Sequence, residues 1–210
     1  MVFDLQKLLP KERKELDTET RQRYKEHYAT VLEKYGYKRD ADNSAAFDFF
    51  ADYFGQWAGA KREECSYPEK GLFVFGEKGT GKTSALQIFS GLFGIDILSI
   101  EDLTRAFTCG KEVSFWSLAD EYQFRHLIID DICNEHEAKV FGNTIPLPEL
   151  LKKREYAWRY DNIYTFFTSN AKNRDEITRL YGDTITSRFL GSCNFIQLGG
   201  KDRRIRKKAK

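Results

Sequence analysis

The apolar positions of this chain follow two different periods. In the first sixty residues the period is helical. Tyr24, Tyr28, Val31, Leu32 and Tyr35 fall at i, i+4, i+7, i+8 and i+11 and predict a helix within residues 1–40 that Gly36 can end. Such a stripe either binds a partner or packs on the main domain, and packing is the commoner outcome. A second helix, capped by Asn43 or Ser44, carries Phe47, Phe50, Phe54 and Trp57 on one side. Residues 61–70, with Pro68, read as a loop. Beyond it come short apolar runs at 72–75, 95–100, 126–131, 163–168 and 194–198, which read as strands. Helical patterns separate them at 84–89, 101–107, 114–122, 149–160, 174–181 and 184–190. Strands alternating with helices predict an α/β fold with a mainly parallel sheet covered on both faces. In such sheets ligands sit at the carboxyl ends of the strands.

Three of these strands are followed directly by residues with chemistry. After the first comes Gly76-Glu77-Lys78-Gly79-Thr80-Gly81-Lys82-Thr83, a complete phosphate loop, with Ser84 opening the next helix. The glycines let backbone N–H groups approach an anion at a helix N-terminus. Lys82 can reach the β- and γ-phosphates, and the Thr83 hydroxyl can hold Mg²⁺. The run His126-Leu127-Ile128-Ile129, three of its residues apolar, then leads into Asp130-Asp131. Asp130 is the candidate metal partner, and Asp131 can orient or deprotonate an attacking water. Asn170, after the fourth strand, can hydrogen-bond that water and the γ-phosphate. The motif specifies a nucleoside triphosphate, ATP with Mg²⁺, without stating what its hydrolysis drives. Arg188, in the run YGDTITSRFLG, can complete such a site from a neighbouring subunit or form a surface salt bridge.

Composition bounds the function class. The chain has 210 residues, 41% hydrophobic and 31% charged, enough for one good core. No apolar run approaches the roughly 18 residues of a membrane span, and the N-terminus lacks a secretory core. Cys65, Cys109, Cys133 and Cys193 are scattered without C-x-x-C spacing, which suggests reduced thiols in a cytoplasm. Cys133, Glu135, His136 and Glu137 are too close together to match a zinc set. Net charge is +2, yet the last ten residues alone carry +6. A basic tail on a near-neutral body suggests a polyanion contact or a solvated terminus.

The order GEKGTGKT, HLIIDDI, YTFFTSN, YGDTITSRF and GGKDRR resembles the AAA+ ATPases of the DnaC/DnaI/IstB kind, bacterial helicase loaders and transposase helper ATPases. The resemblance covers residues 45–206. It implies a five-stranded parallel sheet in the order 5-1-4-3-2 and no separate lid domain; outside it the residue pattern leaves a helical N-terminal extension at 1–44, shorter than the family's usual N-terminal domain, and a basic tail at 207–210. It implies that Lys82 and Thr83 are Walker A, Asp130 and Asp131 Walker B, Asn170 sensor 1, Arg188 an arginine finger acting in trans, and Arg204 the sensor 2 arginine. The expected partners are single-stranded DNA, further copies of the chain and a replicative helicase or transposase. In this family an extra DNA-facing helix lies between strands 2 and 3, where Arg105 and Lys111 supply charge and are the better candidates, while Phe107, Phe115 and Trp116 offer stacking faces unless, as is equally open for Phe115 and Trp116, they pack in the core. A small-molecule kinase and an ATP-binding switch without turnover are the rival readings.

Overall fold

Along each central strand, successive side chains bury to opposite sides. Leu72 and Val74 of β1 (Gly71–Phe75) join one core cluster, and Phe73 and Phe75 join another. This is the pattern of a strand buried on both faces. The computed structural model describes residues 13–133, 139–140, 143–144 and 147–203, with the backbone alone for 108–114, 139–140 and 143–144. The helices ahead of β1 are α1 (Thr18–Lys34) and α2 (Ser44–Lys61), and after it come α3 (Lys82–Phe93), β2 (Asp96–Ser99), α4 (Ile100–Glu121) and β3 (Leu127–Ile132). A small antiparallel ribbon pairs β4 (Lys139–Val140) with β5 (Asn143–Thr144). The chain continues through α5 (Leu147–Asp161), β6 (Thr165–Ser169), α6 (Arg174–Ser192) and β7 (Cys193–Gln197). The main sheet has five strands in the order β2-β3-β6-β1-β7, every pair parallel. Counting only its own strands, this is the order 5-1-4-3-2.

One face of the sheet is covered by α2 and α3, with α1 laid on α2. Phe47, Phe50, Phe54, Trp57 and Phe89 are buried there, and the ring centroids of Phe54 and Phe89 lie 4.9 Å apart. Most of the predicted α1 stripe packs: Tyr24 and Leu32 are buried and Tyr28 lies against the same core, whereas Tyr35, just past the helix end, is exposed; Arg21 of α1 pairs with Asp52 of α2 at 2.6 Å. The other face is covered by α4, α5 and α6 through Leu103, Phe115, Leu150, Leu151, Ile177, Ile185 and Phe189. Arg154 fastens α5 to the sheet. It is 4% exposed and donates to the carbonyls of Tyr122, Arg125 and Tyr164 and to Thr165 Oγ1. Burial lowers its pKa to about 10, so it stays cationic at neutral pH.

Two expectations change. The helices predicted at 101–107 and 114–122 are one helix, α4, opened by a capping box between Ser99 and Asp102. The reason is register. Leu103, Phe107, Phe115 and Ala119 are spaced in multiples of four and share one buried stripe on either side of the polar stretch between them. Phe107 and Phe115 are therefore core residues, which settles the alternative open for Phe115 in favour of the core and removes Phe107 as a stacking face. Trp116 is half-buried under the Lys153 ammonium, 4.3 Å from its ring centre, and Arg105 pairs with Glu101 at 3.1 Å. The helices predicted at 174–181 and 184–190 are the two halves of α6, divided at Gly182, whose φ of 76° and ψ of 166° are not helical. Among the described residues no helix is long and apolar enough to cross a membrane. Arg204, Glu135, His136, Glu137 and the tail lysines Lys207, Lys208 and Lys210 lie outside the described residues, as does the side chain of Lys111.

Candidate functional site

At the carboxyl ends of β1, β3 and β6 a cavity of about 820 Å³ opens, within the usual range for small-molecule pockets. The turn from β1 into α3 forms its floor. Gly76 has φ 138°, and a Cβ there would stand 2.1 Å from the Leu198 carbonyl oxygen, so the backbone passes where no side chain fits. Thr80 is buried and its hydroxyl donates to the Glu77 carbonyl at 2.9 Å, which holds the loop's shape. Lys78, Gly79, Gly81, Lys82, Thr83 and Ser84 line the cavity, while Gly76, Glu77 and Thr80 shape the loop from behind. Lys82 is 4% exposed, and its ammonium donates to the carbonyls of Gly76 at 2.9 Å and Glu77 at 2.7 Å. A buried cation beside a ring of backbone N–H groups suits an incoming anion.

β3 places the two acids on this floor by an irregularity. Ile129 pairs with Phe167 and Ile132 with Ser169, so one extra residue is accommodated in β3. This β-bulge turns Asp131 to φ 60°. Asp130 accepts from the Thr83 hydroxyl at 3.0 Å, and Asp131 accepts from the Asn170 amide at 3.0 Å. Thr83 and Asp130 thus offer two oxygens side by side, the donor set that suits Mg²⁺. Burial, and then the neighbouring Asp130 carboxylate, push the Asp131 carboxyl above its ordinary value, against the pull of Lys82 and Asn170. A carboxylate raised in this way is a better proton acceptor.

Three contributors have no role that the sequence motifs assign. Thr168 is fully buried in β6; its hydroxyl donates to Asp130 Oδ1 and accepts the Asp131 N–H at 2.9 Å, pinning the bulge. A hydroxyl inside the apolar run YTFFTSN was the available signal. Tyr37 is 5% exposed and lines the cavity; burial pushes its phenol up to about 12. Its hydroxyl has no hydrogen-bond partner among the described residues. Arg203 also lines the cavity. Its N–H donates to the Gly79 carbonyl at 2.9 Å, and its guanidinium bonds the Thr80 carbonyl and Asp40. Asn43 precedes α2, but its side chain accepts from the Asp40 N–H and donates to the Lys38 carbonyl, fixing residues 38–43 against the site. From the loop, the α3 face Ser84, Gln87, Ile88 and Gly91 runs outward beneath Tyr35 and Tyr37. The cavity therefore has a cationic and acidic end at Lys82, Asp131 and Asn170, and a longer, mixed end at Tyr37 and Ile88. That shape and chemistry fit a nucleoside triphosphate with its metal. Arg188 is elsewhere, bonded to Glu155 beside Arg154 and Trp158.

No protein-family model matches the chain, and no curated protein sequence does so either. Solved structures do match. A structural-genomics target from Streptococcus pyogenes serotype M3, assigned as a primosome component, aligns at 22% identity over 79% of this chain and 84% of that one, with a TM-score of 0.55. DnaA from Aquifex aeolicus bound to AMPPCP aligns at 16% identity over 77% of this chain, with a TM-score of 0.50. A replication initiator DnaA bound to AMPPCP and single-stranded DNA gives 16% identity over 78% of this chain and a TM-score of 0.53. This chain spans 48% of each of those two DnaA chains.

Proposed function

We propose that this chain, whose fold is that of an AAA+ P-loop NTPase, is an ATPase of DNA replication that loads or remodels a ring helicase. The observation that carries the ATPase reading is the convergence of Lys82, the Thr83–Asp130 pair and the Asp131–Asn170 pair on one cavity at the carboxyl edge of the sheet. Lys82 leaves its two carbonyl partners for the β- and γ-phosphates and neutralises their charge. Thr83 and Asp130 would hold Mg²⁺, which would neutralise charge on the triphosphate. Asp131, with its raised pKa, aligns the attacking water and accepts its proton, and Asn170 keeps the carboxylate and the water in line. Thr168 keeps both acids in place from behind.

Arg188 completes the site in trans, donated by an adjacent copy to the γ-phosphate. Arg204 contacts the same phosphates as the sensor 2 residue. Replication is preferred to transposition because the structural neighbours are a primosome component and DnaA, one of them bound to single-stranded DNA. Single-stranded DNA and a replicative helicase are accordingly the partners tested first.

The test is turnover in the assembled state. Arg188→Ala is expected to keep ATP affinity and to lower turnover by about 10³-fold, the lower end of what an arginine finger contributes. Ordinary turnover by this variant removes the finger. For the partner, the hydrolysis-blocked Asp131→Asn protein is expected to retain a ring helicase from the source cell when ATP is present. Recovery of a transposase in its place overturns the loader reading.

A further inference from the structure

Arg188 is not a loose surface arginine. Its Nη1 donates to Oε2 of Glu155, a residue of α5 whose side chain is 4% exposed. The other carboxylate oxygen, Oε1, takes Arg159 at 2.7 Å. The Arg188 side chain is 34% exposed, and its Nε is buried without a partner among the described residues. Within those residues the only side-chain bond of the guanidinium is therefore the one to Glu155.

A carboxylate withdrawn from water this completely is costly to keep. The packing of α5 on α6 does not require it. Leu150 and Leu151 of α5 share one core cluster with Ile185 and Phe189 of α6, and the four hydrogen bonds of Arg154 tie α5 to the start of β6 and to the α4–β3 connection. The Glu155 charge is best accounted for by what it holds. Arginine has five N–H donors in a planar fork, so a guanidinium anchored at one terminal nitrogen still presents the other. A long side chain tethered in this way has already lost much of its rotamer freedom before it meets a phosphate.

Resting on the reading of Arg188 as a finger acting in trans, we propose that Glu155 is the positioning residue of that finger. It fixes Nη1 so that Nη2 is aimed at the γ-phosphate bound by the adjacent copy. Arg159, gripping the other oxygen, keeps the Glu155 carboxylate from rotating with its cargo. Glu155 touches no nucleotide and acts only through Arg188.

The experiment measures turnover and ATP affinity of the full-length protein, alone and in mixed assemblies. Glu155→Gln keeps the shape and removes the charge. It is expected to leave the Kd for ATP within about twofold of wild type and to lower assembled turnover by about 10- to 100-fold, the size of a small misplacement of a catalytic group. Lys82→Ala subunits have an intact finger and a defective nucleotide site. Mixed with Glu155→Gln subunits they are expected to restore turnover at the latter's intact sites, as they do for Arg188→Ala. The double variant Glu155→Gln/Arg188→Ala is expected to match Arg188→Ala alone, since a residue acting through another adds nothing once that residue is gone. If Lys82→Ala fails to rescue Arg188→Ala, the finger reading falls and this inference with it. If it rescues Arg188→Ala but not Glu155→Gln, the positioning role alone is overturned. That role is also overturned if Glu155→Gln loses ATP binding, or if the double variant falls below Arg188→Ala; Glu155 then serves the fold. Faster turnover by Glu155→Gln would make the pair a latch and overturn the proposal equally.

Discussion

Asp131 concentrates the cost of this site in one residue. It sits at φ 60°, half-buried, one residue from Asp130, and its carboxyl is raised above the ordinary value chiefly by burial and then by that neighbour. The folded protein therefore binds this proton more tightly than the unfolded chain. Stability associated with the group is fully present below the ordinary carboxylate range and is lost as pH rises through the raised value. Asp131→Asn removes the charge, keeps an oxygen for Asn170, and places in the left-handed region a residue that tolerates it. The variant is expected to be more stable than the parent by about 0.5–2 kcal/mol at neutral pH, the usual gain when a function-imposed cost is relieved. The gain should vanish on acidification, read as converging melting temperatures, while hydrolysis is lost at every pH. An equal Tm at neutral pH would contradict it. At this scale the sequence was legible where chemistry is local. Lys82 and Thr83 close the loop that follows β1, Asp130 lies near the end of β3 and Asn170 directly follows β6, and a strand end is readable from its apolar run. Thr168 and Tyr37 were not legible, because a hydroxyl or a phenol acquires its partner only when distant segments meet.

At the scale of elements, breaks carry more information than lengths. α4 is continuous because its apolar stripe keeps register, although the polar stretch 108–114 reads as a boundary. α6 is broken because Gly182 adopts φ 76° and ψ 166°, a region that only glycine enters readily. A Cβ at this position would meet nothing within 4 Å, so the cost of a side chain there is one of backbone strain alone. Gly182→Ala is accordingly expected to destabilise the protein by about 1–3 kcal/mol in chemical denaturation. It should also re-aim the second half of α6, which carries Arg188, and lower assembled turnover with unchanged ATP affinity. Normal turnover would separate the kink from the finger. The bulge in β3 is the third such break. It could not be read from HLIIDDI, because a bulge is defined by pairing with β6, and the hydroxyl that holds it, Thr168, lies on that partner strand.

At the scale of the whole molecule the described residues supply one cavity with most of a triphosphate site and leave Arg188 on a different surface, paired with Glu155. If the two meet, they meet between copies. Sedimentation at fixed protein concentration is expected to show larger species with ATP and Mg²⁺ than without nucleotide, and Lys82→Ala should abolish the difference. Nucleotide-independent behaviour would return the protein to a switch or a simple kinase. The sequence by itself determined the α/β class, the order of chemical groups along the chain and the strand ends where they stand. These follow from side-chain period and from motifs whose spacing is covalent. Tertiary structure decided the rest. It laid α1 on α2, so that the 35–43 segment walls the cavity. It brought Arg203 across the phosphate loop, turned Asp131 out of its strand, and set Arg188 against a buried Glu155. Each is a contact between segments far apart in sequence, selected by packing and by the need to pair buried polar groups, and neither requirement is visible until the sheet has assembled.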